Sequence, residues 1–137
     1  MNRQISFRQY RWIDLAIMAG ILIVSQGAIS IAASTIYADQ LYVVSTVAAV
    51  TAIVMMRWSG YAAIHAVLGG VVFTALAGGS WQQYIIYGGG NLLSMLSLLL
   101  FRWLGKEKIR ADALLTIFFG VCTQLLMQLG RAGLAYL

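Results

Sequence analysis

Three polar side chains recur at helical spacing within the apolar segment that precedes residue 132. Gln124, Gln128 and Arg131 stand at i, i+4 and i+7, so they share one face of a helix. In hydrocarbon each such group must find a partner or line a cavity, so this face is not expected to meet lipid. It offers hydrogen bonds from two amides and attraction of an anionic group by one guanidinium.

A second stripe lies in the preceding apolar segment, where Tyr84, Tyr87 and Asn91 stand at i, i+3 and i+7. The loops beside these segments are polar and aromatic. Together they have the composition expected of a small-molecule pocket. The predicted substrate-binding residues are Tyr37, Asp39, Trp81, Gln82, Tyr84, Tyr87, Asn91, Gln124, Gln128 and Arg131.

A third stripe, formed by Gln26, Ser30 and Ser34 at fourfold spacing, lies in the first apolar segment. Each residue also has an ordinary interpretation. Tyr and Trp at helix ends form an interfacial belt, and Gln or Asn between membrane helices tie them together for about 0.6 kcal/mol per hydrogen bond. The convergence of three stripes on one end of the helices favours a pocket.

The composition determines what kind of protein carries these stripes. Of 137 residues, 61% are apolar and only 9% charged, the mean hydropathy is +0.85, and there is no proline. Soluble domains carry about 25% charged residues, so an ordinary soluble domain is excluded. We expect an all-α bundle in which residues 1–137 form one integral membrane domain.

Five apolar segments fit the length of a membrane crossing, about 20 residues each. The second is short and spans only if Tyr42 lies at one interface and Arg57 snorkels to the other. A signal peptide is the alternative for the first, whose apolar run is long for that role. The predicted spans are 13–34, 41–56, 58–77, 84–101 and 113–129.

The basic residues predict the orientation of these spans. Eight of the nine Lys and Arg residues fall on one side: three in the N-terminal tail, Arg57 after the second segment, and four in the loop after the fourth segment. Only Arg131 lies on the other side. Cytoplasmic loops carry such an excess, so the N-terminus is predicted to be cytoplasmic and the pocket to face outward. The net charge of +5 indicates topology and contact with anionic lipid headgroups rather than nucleic acid binding.

No catalytic motif stands out. The glycines before Asn91 lack the ending of a phosphate-binding loop, and the acidic residues Asp14 and Asp112 suit helix N-termini. His65 can be a proton relay or a metal ligand, but no Cys or acidic residue lies at three or four positions from it. A structural histidine is favoured. We therefore expect no enzymatic activity, no metal and no cofactor.

Small residues form a separate pattern. Ala62, Ala66 and Gly70 are fourfold-spaced, which permits close approach of neighbouring helices. Ala16 and Gly20 repeat this spacing in the first segment, on its cytoplasmic half. Packing inside the bundle explains most of these residues. Ala16 and Gly20 can instead form a docking groove for a helix of a partner.

The order of these features resembles the S component, or substrate-binding subunit, of an energy-coupling factor (ECF) transporter. The residues that carry the resemblance extend over most of the chain, although none of them is a diagnostic catalytic motif. They are the basic start Arg8–Trp12, the turn Arg57–Gly60, the pair Gly69–Gly70, and the segments Gln83–Asn91 and Phe101–Arg110.

This resemblance implies a six-helix subunit of a bacterial plasma membrane that binds a vitamin or related micronutrient near the outer face. A transmembrane T subunit would dock on small residues of the first helix, here Ala16 and Gly20, and two separate ATPase subunits would hydrolyse ATP. The family's pocket would map onto Tyr37, Asp39, Trp81, Gln82, Tyr84, Asn91 and Gln128. The five predicted spans depart from the six of the family.

The sequence thus predicts a subunit that captures a small solute, aromatic or heterocyclic, and delivers it by reorienting with its partners. Two alternatives remain at this point. One is a small homodimeric transporter or channel, for which the spans lack the usual mid-membrane carboxylate. The other is a structural or regulatory subunit of a membrane complex, in which the polar stripes only hold helices together.

Overall fold

The computed structural model describes residues 5–36 and 45–137, and every element in those two ranges is helical. The predicted all-helical fold class is confirmed for them. The helices are α1 (Phe7–Thr35), α2 (Val47–Trp58), α3 (Ala62–Leu76), the composite helix α4 (Trp81–Ala111) and α5 (Ala113–Ala135).

Four helical stretches are long and apolar enough to cross a membrane, so the predicted count of five is not supported. Most of the second predicted span (41–56) and of the third (58–77) falls in one stretch, Val47–Leu76, which contains both α2 and α3, and residues 41–44 lie outside the described residues. Neither helix alone has the required length. At 12 and 15 residues they are about 18 and 22 Å long, against about 30 Å of hydrocarbon.

The stretch Val47–Leu76 folds back on itself. The Val47 side chain occupies the space beside Gly69, although the two residues would be about 33 Å apart in one straight helix. The reversal occurs at Ser59, whose φ of 51° is unusual for a residue with a side chain. Helices α2 and α3 therefore form an antiparallel hairpin.

Glycines bring α4 into backbone contact with both of its neighbours. A Cβ on Gly70 of α3 would collide with the main chain at Tyr87 and Gly88. On the other flank, a Cβ on Gly90 would lie 2.7 Å from the backbone nitrogen of Arg131, and one on Gly130 would collide with the Gly90 carbonyl. Van der Waals packing of this kind is what associates helices in lipid.

The composite helix α4 is irregular along most of its length. A π-helical turn, Ile85–Gly89, precedes the 3₁₀ segment Asn91–Leu98, and a second π turn, Phe101–Gly105, follows. Gly105 has a φ of 86°, a conformation that glycine adopts without steric cost. The chain then continues into the short helix Lys106–Ala111 and on to α5.

The interior of the bundle is mixed and its exterior is apolar. Leu22, Met55 and Phe119 are fully buried, yet Asn91 and His65 are equally buried among them. Large apolar side chains cover much of the outside, and at most 33% of any candidate span's most apolar window is buried. Such a surface suits contact with lipid tails.

Candidate binding site

Arg131, Asn91 and Tyr87 form a polar cluster where α5 crosses α4. Arg131 Nε donates to Asn91 Oδ1 at 2.7 Å, and the Asn91 amide donates to the carbonyl of Ala66 on α3 at 2.8 Å. The guanidinium carbon lies 5.1 Å from the centre of the Tyr87 ring. The cluster therefore joins three helices and holds the arginine from two sides.

The backbone explains why these side chains meet. The contact between Gly90 and Gly130 brings the next residue of each helix, Asn91 and Arg131, to the same level. Tyr87 lies one turn before Asn91, in the π turn that ends at Gly89. Glycine at these positions permits an approach that any larger residue would prevent.

No side-chain carboxylate of a described residue forms an ion pair with Arg131. Asp14 is paired with Arg57, Glu107 is paired with Arg110, and Asp112 caps the N-terminus of α5. Nineteen residues along α5 separate Asp112 from Arg131, a distance of about 28 Å. The positive charge of Arg131 is therefore held by a neutral amide and a ring.

A small cavity lies beside the cluster, between α1 and α3. Its volume is about 110 Å³, and Gln26, Ser30 and Phe73 are among its lining residues. The Phe73 ring packs against Tyr87 with centroids 4.8 Å apart, so the cavity and the cluster share an aromatic wall. This volume admits a few waters or one small group, and is below the 300 Å³ or so of a typical ligand pocket.

A larger groove of about 550 Å³ runs between α4 and α5. Glycine, leucine and methionine line it, including Gly90, Leu93 and Leu134, and Arg131 does not. The groove has no polar side chain with which to orient a solute. It therefore offers a site for an acyl chain or an apolar helix rather than for a polar ligand.

The other predicted site residues that the structure describes make no side-chain hydrogen bond to this cluster. Trp81 is 76% exposed, Gln82 is exposed, and Tyr84 is half-buried at the start of α4. Gln124 is half-buried and Gln128 exposed on α5, and neither makes a side-chain hydrogen bond to a described residue. Tyr37 and Asp39 lie outside the described residues.

The structure thus brings together Tyr87, Asn91 and Arg131 from two of the predicted stripes. The third stripe goes elsewhere. Gln26 is buried, and its Oε1 accepts hydrogen bonds from the backbone and hydroxyl of Thr46, which tie α1 to the start of α2. Ser30 lines the small cavity, and Ser34 donates to a carbonyl of its own helix.

A row of buried hydroxyl groups that follows Asn91 along α4 was not predicted from the sequence pattern. In the 3₁₀ segment, residues three apart eclipse one another, so Asn91, Ser94 and Ser97 line up. The Ser97 hydroxyl also lies 3.1 Å from that of Thr123 on α5. The signal was available as the period-three pattern Asn-x-x-Ser-x-x-Ser, which a 3.6-residue period does not select.

His65 and Thr51 are also buried, on facing helices of the α2–α3 hairpin. His65 Nε2 lies 3.0 Å from the carbonyl of Leu15 on α1, while its Nδ1 and the Thr51 hydroxyl have no partner among the described residues. Since Val47 packs on Gly69, Thr51 and His65 stand one turn further along each helix, at the same level. The structural interpretation of His65 matches its bond to the α1 backbone.

A second polar network lies where α1 meets the hairpin turn, which we call the Arg57 end. Arg57 donates to both carboxylate oxygens of Asp14, at 2.7 and 2.8 Å, and the Trp58 indole donates to the same carboxylate. Lys106 donates to the Ser59 hydroxyl at 3.0 Å. We call the opposite region, around Arg131, the Arg131 end.

The small residues predicted for docking lie on the free surface of α1. Ala16 and Gly20 are exposed, and a Cβ on Gly20 would meet no atom within 4 Å. Ile17 and Ile21, next to them, are 56% and 49% exposed. This strip is therefore not used for packing among the described residues.

Comparison with known proteins found no match to any family model, any curated protein or any solved structure.

Proposed function

We propose that the chain is the substrate-capture subunit of an ECF-type transporter in a bacterial plasma membrane. It binds a small micronutrient at the outer face and delivers it by reorienting with a T subunit and two ATPases. It has no catalytic activity of its own. The observation that carries this proposal is the Arg131 cluster, because a cation between helices whose partners among the described residues are all neutral is suited to binding a solute.

In this proposal the chain crosses the membrane five times with its N-terminus in the cytoplasm. The hairpin supplies the second and third crossings. Both arms are shorter than the hydrocarbon thickness, so these crossings require local thinning of the bilayer as well as snorkelling of Arg57. The contacts of Asp14 with Arg57 and of Ser59 with Lys106 support one common basic end. Arg131, about 28 Å beyond Asp112, would then lie at the outer edge of the hydrocarbon.

The exposed strip of α1 is the proposed T-subunit contact. Ala16 and Gly20 lie one turn apart with empty space above Gly20, which lets a partner helix approach the backbone closely. Both residues lie on the half of α1 nearer the Arg57 end. An ATP-driven partner assembly on the cytoplasmic side would reach this half first.

Affinity purification of the whole chain in mild detergent tests the proposal. Wild type is expected to carry a T subunit and two ATPases, identified by mass spectrometry. Gly20→Leu is expected to lose them, and Gly27→Leu to keep them, since both glycines lie on α1 with open space around their Cβ positions. Equal partner loss in both variants, or no such partners with wild type, would refute the assembly.

A structural subunit is the second candidate, and one observation favours it. The hydroxyls of Ser94, Ser97 and Thr123 all donate to carbonyls of their own helices, as expected of groups that need no ligand. The same purification separates the two candidates. A stable complex without ATPases would support the structural role, and a homodimer alone would support a small transporter or channel.

A further inference from the structure

The two terminal amino groups of Arg131 have no hydrogen-bond partner among the described residues. The guanidinium uses Nε to bind Asn91 Oδ1, and its face lies over Tyr87. Its Nη1 and Nη2 atoms make no hydrogen bond to a described residue, and neither atom is fully buried. The free edge of the fork is therefore accessible while the rest of the group is fixed.

The arrangement selects a particular kind of anion. Two parallel N–H bonds from a guanidinium fit the two oxygens of a planar carboxylate, and one cation balances one negative charge. A dianionic phosphate would be bound better by two cations. Among the described contacts of Arg131 there is no second cationic side chain. The Phe73–Tyr87 ring pair beside it provides an apolar aromatic surface for the body of the ligand.

We infer that Arg131 holds the carboxylate of a small organic acid, with Asn91 and Tyr87 as positioning residues. This inference rests on the proposed function, since it names the substrate class of that site. Asn91 directs the fork through its bond to Nε and is itself fixed by the Ala66 carbonyl. Tyr87 supports the face of the guanidinium, so the group need not be ordered again on binding.

Calorimetric titration of the whole chain in lipid nanodiscs tests the inference with defined probes. Benzoate supplies a flat ring with a carboxylate, and benzamide has the same shape without the charge. We expect benzoate to bind at least about tenfold more tightly than benzamide, because charge-assisted bonds are the stronger ones. This comparison uses wild type alone, so it holds even where a variant fails to fold.

Variants locate the site. Arg131→Gln is expected to reduce benzoate affinity by about tenfold or more, and Arg131→Lys to an intermediate degree, since lysine keeps the charge and loses the fork. Arg102→Gln is the matched control: Arg102 is exposed, lies on α4, and makes no side-chain hydrogen bond to a described residue. It is expected to bind benzoate like wild type.

Three results would overturn the inference. Equal binding of benzoate and benzamide, or no binding, would show that no carboxylate is recognised. Benzoate binding that appears in a phosphate-free maltoside detergent but is absent from phosphatidylcholine discs would assign the guanidinium to a lipid phosphate. Binding that appears only in Asp39→Asn would assign it to Asp39, which lies outside the described residues.

These results are separable from failure of the proposed function. A chain that purifies with a T subunit and ATPases but shows no preference for benzoate is a capture subunit for another class of solute. A chain that binds benzoate through Arg131 but purifies without those partners keeps the carboxylate site and loses the ECF assembly.

Discussion

Arg57 and Arg131 are both arginines inside helical stretches, but their surroundings are opposite. Arg57 is 42% exposed and donates hydrogen bonds to both carboxylate oxygens of Asp14, and the Trp58 indole donates to the same carboxylate. Arg131 lies between helices, with a neutral amide and a ring as its described partners. At the Arg57 end the arginine and the carboxylate are paired with each other, which we call the closed pair. At the Arg131 end the terminal amino groups of the arginine have no partner among the described residues. Both arginines join helices, but only Arg57 has a carboxylate partner among the described residues.

The largest expected effect comes from the backbone contact that sets the Arg131 end. Gly130→Ala is expected to destabilise the fold by about 2–3 kcal/mol, because the new Cβ would collide with the Gly90 carbonyl. Gly120→Ala on the same helix has open space and is expected to stabilise by up to about 1 kcal/mol. Reversible unfolding in mixed detergents measures both. Equal effects would contradict the close crossing.

The closed pair at the Arg57 end should matter less, since it is partly exposed. Asp14→Asn removes the ionic part of the bonds to Arg57 and is expected to cost about 1–2 kcal/mol, with a smaller loss at high salt. Glu107→Gln is the matched control, because Glu107 is 84% exposed in an i,i+3 pair with Arg110. Its expected cost is at most about 0.5 kcal/mol. A cost for Asp14→Asn no larger than this would remove the structural role of the pair.

Replacing each arginine by glutamine compares the two ends directly. Arg57→Gln is expected to destabilise by about 1–2 kcal/mol, because it leaves Asp14 with one fewer cation and fewer donors. Arg131→Gln is expected to change stability by less than about 1 kcal/mol, because it removes a partly buried charge without a described carboxylate. The same unfolding assay gives both values. A reversed order would make Arg131 the structural residue.

The smallest effects concern Tyr87. Its ring faces the guanidinium, and its hydroxyl has no hydrogen bond to a described residue, so Tyr87→Phe is expected to leave stability and benzoate binding unchanged. Tyr87→Leu is expected to weaken benzoate binding modestly, because the attraction of a cation to a ring is worth about 0.5–2 kcal/mol. Titration calorimetry measures both variants. A large effect of Tyr87→Phe would point instead to a ligand bond from the hydroxyl.

Some of this arrangement could be predicted from the sequence. The polar spacing on α4 and α5 predicted that Tyr87, Asn91 and Arg131 face partners inside the bundle, and these side chains do contact one another. Their role in binding a substrate stays a prediction. The predicted boundary between the second and third segments also falls beside Ser59, where the chain reverses. Helix α3 (Ala62–Leu76) is shorter than the predicted third span, because hydropathy reports an apolar run and not where the chain turns. The start of the second span, 41–44, lies outside the described residues.

The face on which α5 packs could not be predicted in the same way. The buried row is Phe119, Thr123 and Met127, continued by Gly130, while Gln124 and Gln128 each lie one residue further round. In lipid, a leucine facing outward is as well accommodated as one facing the core, so hydropathy does not select the packed face. Arg131 reaches Asn91 because Gly130, the residue before it, allows the backbones of α4 and α5 to approach closely.

Mass spectrometry of small molecules released from the chain after purification in mild detergent shows whether the chain captures a solute through Arg131. We expect a stoichiometric organic acid to be retained by wild type and by Arg102→Gln, and to be lost from Arg131→Gln and from Asn91→Ala. Retention by all four proteins would place the ligand elsewhere in the bundle. No retained solute, together with no binding of added vitamins, would contradict substrate capture and support a structural subunit.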